Sequence, residues 1–242
     1  TITSILWTCS TTGQCLDAIS EAHTQYPTVL DALLQLEPPL LSLLQNLSGL
    51  LANIAHLPMI QSIVSASPNF KCIVSWIEKT DCNLQVQWHV MRIAAHGLTS
   101  AVNAAWWLES NLLPNTLDVL RDSKPKRSHV ALNVLAALGS WQATQLLTTL
   151  QSMTAENDKE GESSSHSSLF RLMEVLTTSL PTYDQGQCQD ALFLCSSLAA
   201  SNPALTAQWR QTHASWEQVL RGVETRFPTD SHLTRQIHSL LH

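Results

Sequence analysis

The sequence predicts an all-α protein whose helices stack as a solenoid of about five repeats. Three observations predict it. Glycine is scarce, at 7 of 242 residues, while prolines punctuate the chain at Pro27, Pro38, Pro39, Pro58, Pro68, Pro114, Pro181, Pro203 and Pro228. Between the prolines apolar residues recur every three or four positions, the period of one helical face, and no segment alternates as a strand does. A small residue within an apolar helix also recurs along the chain. It is seen in LWTCS, LANIA, MRIAA, AALG and SSLAA, anchored on Thr8, Asn53, Arg92, Ala137 and Ser197 at intervals of 45, 39, 45 and 60.

Taken in order, the pattern predicts helices at residues 14–24, 28–36, 39–56, 58–65, 69–79 and 83–97. In the third of these, Leu40, Leu43, Leu44, Leu47, Leu50, Leu51 and Ile54 draw one apolar stripe behind the Pro38 and Pro39 pair, which suits a helix start. Ser67, just ahead of Pro68, offers a capping oxygen for the fifth. Val86, Val90 and Ile93 repeat the stripe in the sixth. Helices follow at 99–108, 112–121, 128–139 and 142–152, the third of them carrying Val130, Val134, Leu135 and Leu138. Trp106 and Trp107 are adjacent in the first, so their side chains diverge by about 100° and at least one is expected to be partly exposed.

Residues 155–168, AENDKEGESSSHSS, have no apolar period and predict a mobile polar loop. Helices then resume at 167–179, 186–200, 204–225 and 230–241, with Asn202 capping ahead of Pro203. Trp209, Trp216, Leu220, Val223 and Phe227 form a heptad-like stripe expected to pack on the repeats as a terminal cap, or otherwise to receive a partner.

Helices this short cannot bury their apolar stripes alone, so neighbouring units must stack. Ala94, Ala95, Ala136, Ala137 and Ala199 permit close approach. Removing the polar loop from the longest interval returns it to about 45, within the range of about 40–47 residues typical of repeats built from two or three helices. One period thus covers nearly the whole chain, which is expected to form a single repeat domain over residues 1–242.

Composition narrows the function. The hydrophobic fraction is 44% and the charged fraction 13%, against about 25% charged in ordinary domains, so the surface suits being covered by another protein. A net charge of -6 lacks the basic excess that phosphate-backbone binding requires, and no direct nucleic-acid contact is expected. Ser, Asn and Gln interrupt even the leucine-rich stretch from residue 39 to 54, so no membrane-spanning helix is expected. No signal-peptide pattern is present, and the absence of an initiator Met points to a fragment of a larger protein. Cys9, Cys15, Cys72, Cys82, Cys188 and Cys195 are scattered, as in a reduced intracellular protein with mostly buried thiols.

Chemical motifs are missing. His89 and His96 could share a helix face, but no carboxylate or thiol stands at ligand spacing beside them, and neither Cys188 with Cys195 nor Cys9 with Cys15 makes a CxxC pair; no metal is expected. There is no GxSxG, HExxH, phosphate-cradling loop or dinucleotide fingerprint, so neither cofactor nor catalytic residue is assigned and the chain is read as non-enzymatic. Glu156, Asp158, Glu160 and Glu162 fall in the polar loop, where solvation denies them general-acid work. Lys124, Lys126 and Arg127 read as a polar turn between repeats rather than a targeting patch. The serines at 163–165, 167 and 168 lie among acids, where phosphate could be added.

The stretch LLANIAHLPMIQSIVSASPNFKCIVSWI, residues 50–77, resembles an armadillo repeat junction: a third helix ending like LSNIA, a turn, a short helix, then a proline-led helix. Asn53 matches the family's groove asparagine, and Trp88, four residues before Arg92, matches its groove tryptophan. The asparagine is replaced at Thr8, Arg92, Ala137 and Ser197, and the tryptophan at Ser4, Gly49, Asn133 and Phe193, so the resemblance does not imply a regular clamping ladder of the importin sort. It implies a right-handed armadillo/HEAT-like superhelical solenoid that binds a peptide or helix of another protein on its third helices. Asn53, Trp88, Arg92, Asn133 and Phe193 are the partner-binding positions so implied. The alternative is a structural spacer, or a module self-associating through residues 204–225. The weak charge, missing Met and divergent repeats resemble pieces of very large vertebrate armadillo scaffolds, those of the meiosis inhibitor family or of rotatin-type centriolar proteins. That likeness implies an intracellular location, nuclear or cytoplasmic.

Overall fold

The structure, a computed structural model, describes residues 41–80, 83–110, 112–121, 125–153, 168–212 and 215–241. The expected helices at 14–24 and 28–36, the repeat anchored on Thr8 with Ser4, Cys9, Cys15, Cys82, Lys124 and the polar stretch 155–167 with its serines lie outside the described residues. The described residues are helical, with no strand among them, and the chain divides into two compact units, Thr1–Leu112 and Leu113–His242. Among the described residues no helix is long and apolar enough to cross a membrane.

The first unit contains α1 (Leu41–Ile54), α2 (Pro58–Ser65), α3 (Ser67–Lys79), α4 (Leu84–Gly97) and α5 (Ala101–Glu109). The leucine stripe behaves as its spacing requires, with Leu44, Leu47, Leu50, Leu51 and Ile54 of α1 buried. Pro58 starts α2, its fixed φ suiting a first turn that has no use for the missing N–H. Asn83 caps α4, its Oδ1 accepting from the N–H groups of Gln85 and Val86 at 3.1 and 3.2 Å. Ser100 caps α5 through the Asn103 N–H at 3.2 Å. Ser67 does not cap α3. Extended Ala66 (φ -59°, ψ 125°) breaks the chain one residue earlier than expected, so Ser67 is already helical and Ala66 has no side chain to offer. Phe70, Ile73, Trp76, Val86, Val90, Ile93 and Trp107 are fully buried in this unit's core. Of the adjacent tryptophans, Trp107 is the buried one; Trp106 is half-buried, with the Lys71 ammonium 3.9 Å from its ring centre.

Helix α1 packs on α4. The contacts joining them run in one direction: Gln45 with Asn83, Ser48 with His89, and His56 with His96, pairs separated by 38, 41 and 40 residues. A nearly constant separation along two helices means that they lie parallel, one repeat apart. The first helices obey the same rule, since Asn103 of α5 donates to the Ser65 carbonyl of α2 at 2.7 Å across 38 residues. This is translational stacking, and it requires the interval of 39 between Asn53 and Arg92 seen in the sequence.

The second unit contains most of α6 (Leu112–Arg121), then α7 (Pro125–Ser152), α8 (Ser168–Ser179), a 3₁₀ turn (Leu180–Thr182), α9 (Gln185–Ser201), α10 (Ala204–Thr212), α11 (Trp216–Arg226) and α12 (Ser231–Leu241). As expected, α7 comprises two helices, matching 128–139 and 142–152, that meet in a kink at Gln142, whose backbone (φ -141°, ψ 44°) is not helical. The kink follows the Gly139 and Ser140 pair, a combination that commonly bends helices. Ser168, expected in the polar loop, is buried and begins α8, its N–H donating to the Met153 carbonyl at 3.1 Å. As expected, Asn202 helps start α10, its side-chain oxygen accepting from the Ala204 N–H at 3.2 Å.

The expected continuous helix 204–225 is instead two helices, α10 and α11, packed on one another. In one straight helix Trp209 and Trp216 would stand about 10 Å apart along the axis. Folding back brings their ring centres to 6.1 Å in an edge-to-face pair and buries both. The aromatic contact therefore replaces the heptad stripe as the reason for their spacing.

Repeat stacking recurs here with a longer separation. Helix α7 packs on α9, with Asn133 reaching Asp190 and Thr144 reaching Ser201, both pairs 57 residues apart. Helix α9 packs on α12, with Gln189 donating to Asp230 across 41. The excess between α7 and α9 is the sequence between Met153 and Ser168, two residues joined by a hydrogen bond from the Ser168 N–H to the Met153 carbonyl.

Candidate partner-binding face

The third helix of each repeat carries the residues singled out in the sequence: Asn53 on α1, Trp88 and Arg92 on α4, Asn133 on α7 and Phe193 on α9. All five are half-buried. In the first unit, Asn53 and Arg92 are 39 residues apart, so they occupy the same level of two parallel, packed helices. Trp88 and Arg92, four apart, are neighbours on one face of α4. In the second unit, Asn133 and Phe193 are 60 apart, three more than the separation of 57 that pairs α7 with α9, so Phe193 lies about one turn beyond Asp190, the residue level with Asn133.

Their electrostatic settings differ. Helices α1 and α4 contain no Asp or Glu, and Arg92 is the one Lys or Arg among their residues. Among the described residues no carboxylate pairs with Arg92. Burial lowers its pKa, as expected for a guanidinium taken partly out of water without a counter-charge. Two neighbours register its field. Burial first, then the Arg92 charge, pull the His89 imidazole down to about 4, against the raising effect of the Gln45 backbone carbonyl as an acceptor. Burial, then His56, then Arg92 lower that of His96. His89 is spent on packing, its Nδ1 meeting Ser48 Oγ at 2.9 Å between α1 and α4. The His96 ring stands 6.4 Å from that of His56. These two histidines, read in the sequence only as a weak metal pair, thus serve the stacking of α4 on its neighbour. The signal that would have revealed this was their distance from Ser48 and His56, one repeat in each case.

At the equivalent place in the second unit the polar groups satisfy one another. With its nitrogen facing the surrounding acceptors, the Asn133 amide donates to Asp190 Oδ2 at 2.5 Å and to the His129 carbonyl at 3.2 Å. Burial raises the Asp190 pKa, His129 opposes the rise and Asp184 adds to it. Cys188 and Cys195 on α9 are buried thiols, and burial pushes them up to about 11 and about 12, far from reactive thiolates.

No protein-family model matches the chain, and no curated protein matches it. Solved structures do. The chain is similar to the designed armadillo repeat protein YIII(Dq)4CqI, at 15% identity and a TM-score of 0.58, over 99% of this chain and 90% of that one. The fold is armadillo-like. A second designed armadillo repeat protein, YIII(Dq.V1)4CPAF in complex with the peptide (KR)4, matches at 14% identity and a TM-score of 0.55, over 99% and 88% of the two chains. An engineered protein, target OR329, matches at 16% identity and a TM-score of 0.57, over 99% and 87%. In an armadillo-like fold α1, α4, α7, α9 and α12 are the third helices, the set linked here by the packing of α1 on α4, of α7 on α9 and of α9 on α12.

Proposed function

We propose that the chain is a non-enzymatic scaffold that takes an extended peptide or a helix of another protein along its third helices. Asn53, Trp88 and Arg92 contact the partner in the first unit, and Asn133 and Phe193 stand at the equivalent positions of the second. The observation that carries this reading is the pairing of Trp88 with Arg92, half-buried, beside a register-matched Asn53 on a parallel helix. Parallel neighbours lie about 8–10 Å apart. Same-side residues of an extended peptide recur at about 7 Å, so successive side chains can address successive helices. Tryptophan and arginine are the side chains most enriched where binding energy concentrates. A likeness to a designed armadillo protein that holds a peptide supports the mode of binding but not the identity of the ligand.

The low charged fraction and divergent repeats favour a place inside a large intracellular scaffold, nuclear or cytoplasmic, of the meiotic or centriolar kind. Trp209 and Trp216 are 3% and 1% exposed, so any self-association through residues 204–225 must draw on other side chains. The direct test is affinity capture with the full chain, repeated with Trp88→Ala combined with Arg92→Ala. Loss of at least one reproducible partner is expected, and unchanged recovery of every partner would remove this face from consideration.

A further inference from the structure

Resting on that reading, we infer that the α1 and α4 face of the first unit selects an acidic peptide, seating an aspartate or glutamate carboxylate against Arg92 beside Trp88.

Charge is the basis. Helices α1 and α4 carry Arg92, half-buried, as their one Lys or Arg, and contribute no carboxylate. A half-buried guanidinium ordinarily has a carboxylate or carbonyl partner, because desolvation without compensation is costly. Other arginines in the chain follow that habit: Arg226 donates to the Leu180, Pro181 and Tyr183 carbonyls, and Arg221 pairs with Glu217 at 2.8 Å. Arg92 has the desolvation without a carboxylate among the described residues.

The elements around it do not cancel its charge. Helix α2 carries no titratable side chain. Of the charged residues on α3, Lys71 is engaged with Trp106, and neither Glu78 nor Lys79 contributes to the lowering of His96, in which His56 and Arg92 do appear. Among the described residues no carboxylate pairs with Arg92, and a carboxylate arriving there gains an ion pair with a guanidinium already partly stripped of water. A basic peptide would meet like charge. Trp88, one turn before Arg92, offers an apolar flank for the methylene groups of the acidic side chain.

The probes are three labelled peptides: (ES)4, its neutral counterpart (QS)4, and (KR)4, titrated against the full chain by fluorescence anisotropy. The expected result is at least about tenfold tighter binding of (ES)4 than of (QS)4, weakening as NaCl is raised, with (KR)4 weakest. Arg92→Gln abolishes the preference and Arg92→Lys keeps part of it, with circular dichroism confirming that both variants stay helical. Should Arg92→Gln not fold, Arg92→Lys and the salt series still decide the matter through the preference itself. Equal or tighter binding of (QS)4 or (KR)4 overturns the acidic selectivity. If that binding is still weakened by Trp88→Ala, the scaffold reading stands without it. No binding of (ES)4 to the folded chain overturns the inference as well, and capture of partners sensitive to Trp88→Ala then decides the broader reading separately.

Discussion

The two units solve the same stacking problem and treat their third-helix polar groups in opposite ways. In the second unit Asn133, His129 and Asp190 close on one another across α7 and α9, so that the hydrogen-bonding capacity of the seam is used within the chain. In the first, Arg92 stands one turn beyond Trp88, the position that matches Asn133, with positive charge and no carboxylate pairing with it among the described residues. The difference teaches that a repeat fold can separate support from recognition by letting one seam satisfy itself while its counterpart keeps an unspent interaction. Both units bury apolar cores, with Trp76 and Trp107 fully buried in the first and Trp216 in the second.

The strongest way to sharpen the comparison is to damage one core at a time. Trp76→Ala and Trp216→Ala should each cost about 3–5 kcal/mol, the usual loss for a buried aromatic. Hydrogen exchange should show the first loosening amides of α2 to α4 and the second those of α10 to α12. Uniform loss of protection along the whole chain in both variants would break the division.

A smaller effect is expected at the glycines. A Cβ on Gly97 would stand 2.9 Å from Phe70 Cδ2, a ring atom that cannot easily yield, so Gly97→Ala should destabilise by about 1–3 kcal/mol. On Gly139 the nearest atom, at 3.1 Å, is the tip of Leu194, a side chain that can turn away. There the helical gain of about 1 kcal/mol for alanine should offset the crowding, leaving Gly139→Ala near neutral in thermal denaturation.

The smallest effect is a difference in acid response. The His89 imidazole is held at about 4 in the folded chain, below its ordinary 6.5, so the unfolded chain binds more protons between these values. Stability is therefore expected to fall as pH drops from 6.5 towards 4, and His89→Gln should flatten that slope in urea midpoints. In the second unit Asp230 accepts from the His232 and Leu233 N–H groups and from Gln185 and Gln189, bonds that hold it at about 2. The stability it confers is present above 3.8 and lost as pH falls to about 2, a window that Asp230→Asn should remove.

Much of this architecture was legible because helix formation and repeat stacking both leave local marks. The Leu44 to Ile54 stripe, the Pro58 start and the 39-residue step from Asn53 to Arg92 each appear in the chain as spacing, and each governs a helix or a seam in the structure. What escaped depends on contacts between distant residues. The turn between α10 and α11 is bought by the edge contact of Trp209 with Trp216, which a helical period reads equally well as one continuous face. Ser48 with His89 and Asn133 with Asp190 lie 41 and 57 residues apart, and nothing in either member's neighbourhood names the other. The candidate site was legible as a set of positions, since register follows from the repeat. Its charge asymmetry was not, because it requires knowing which carboxylates fail to arrive.

The bond from the Ser168 N–H to the Met153 carbonyl has one further consequence. Where two residues are bonded to one another, the number of residues between them in sequence is decoupled from the geometry on either side. Evolution or an engineer can lengthen, shorten or replace the sequence between those two anchors, with a reporter or an epitope for instance, while α7 and α9 keep their alignment.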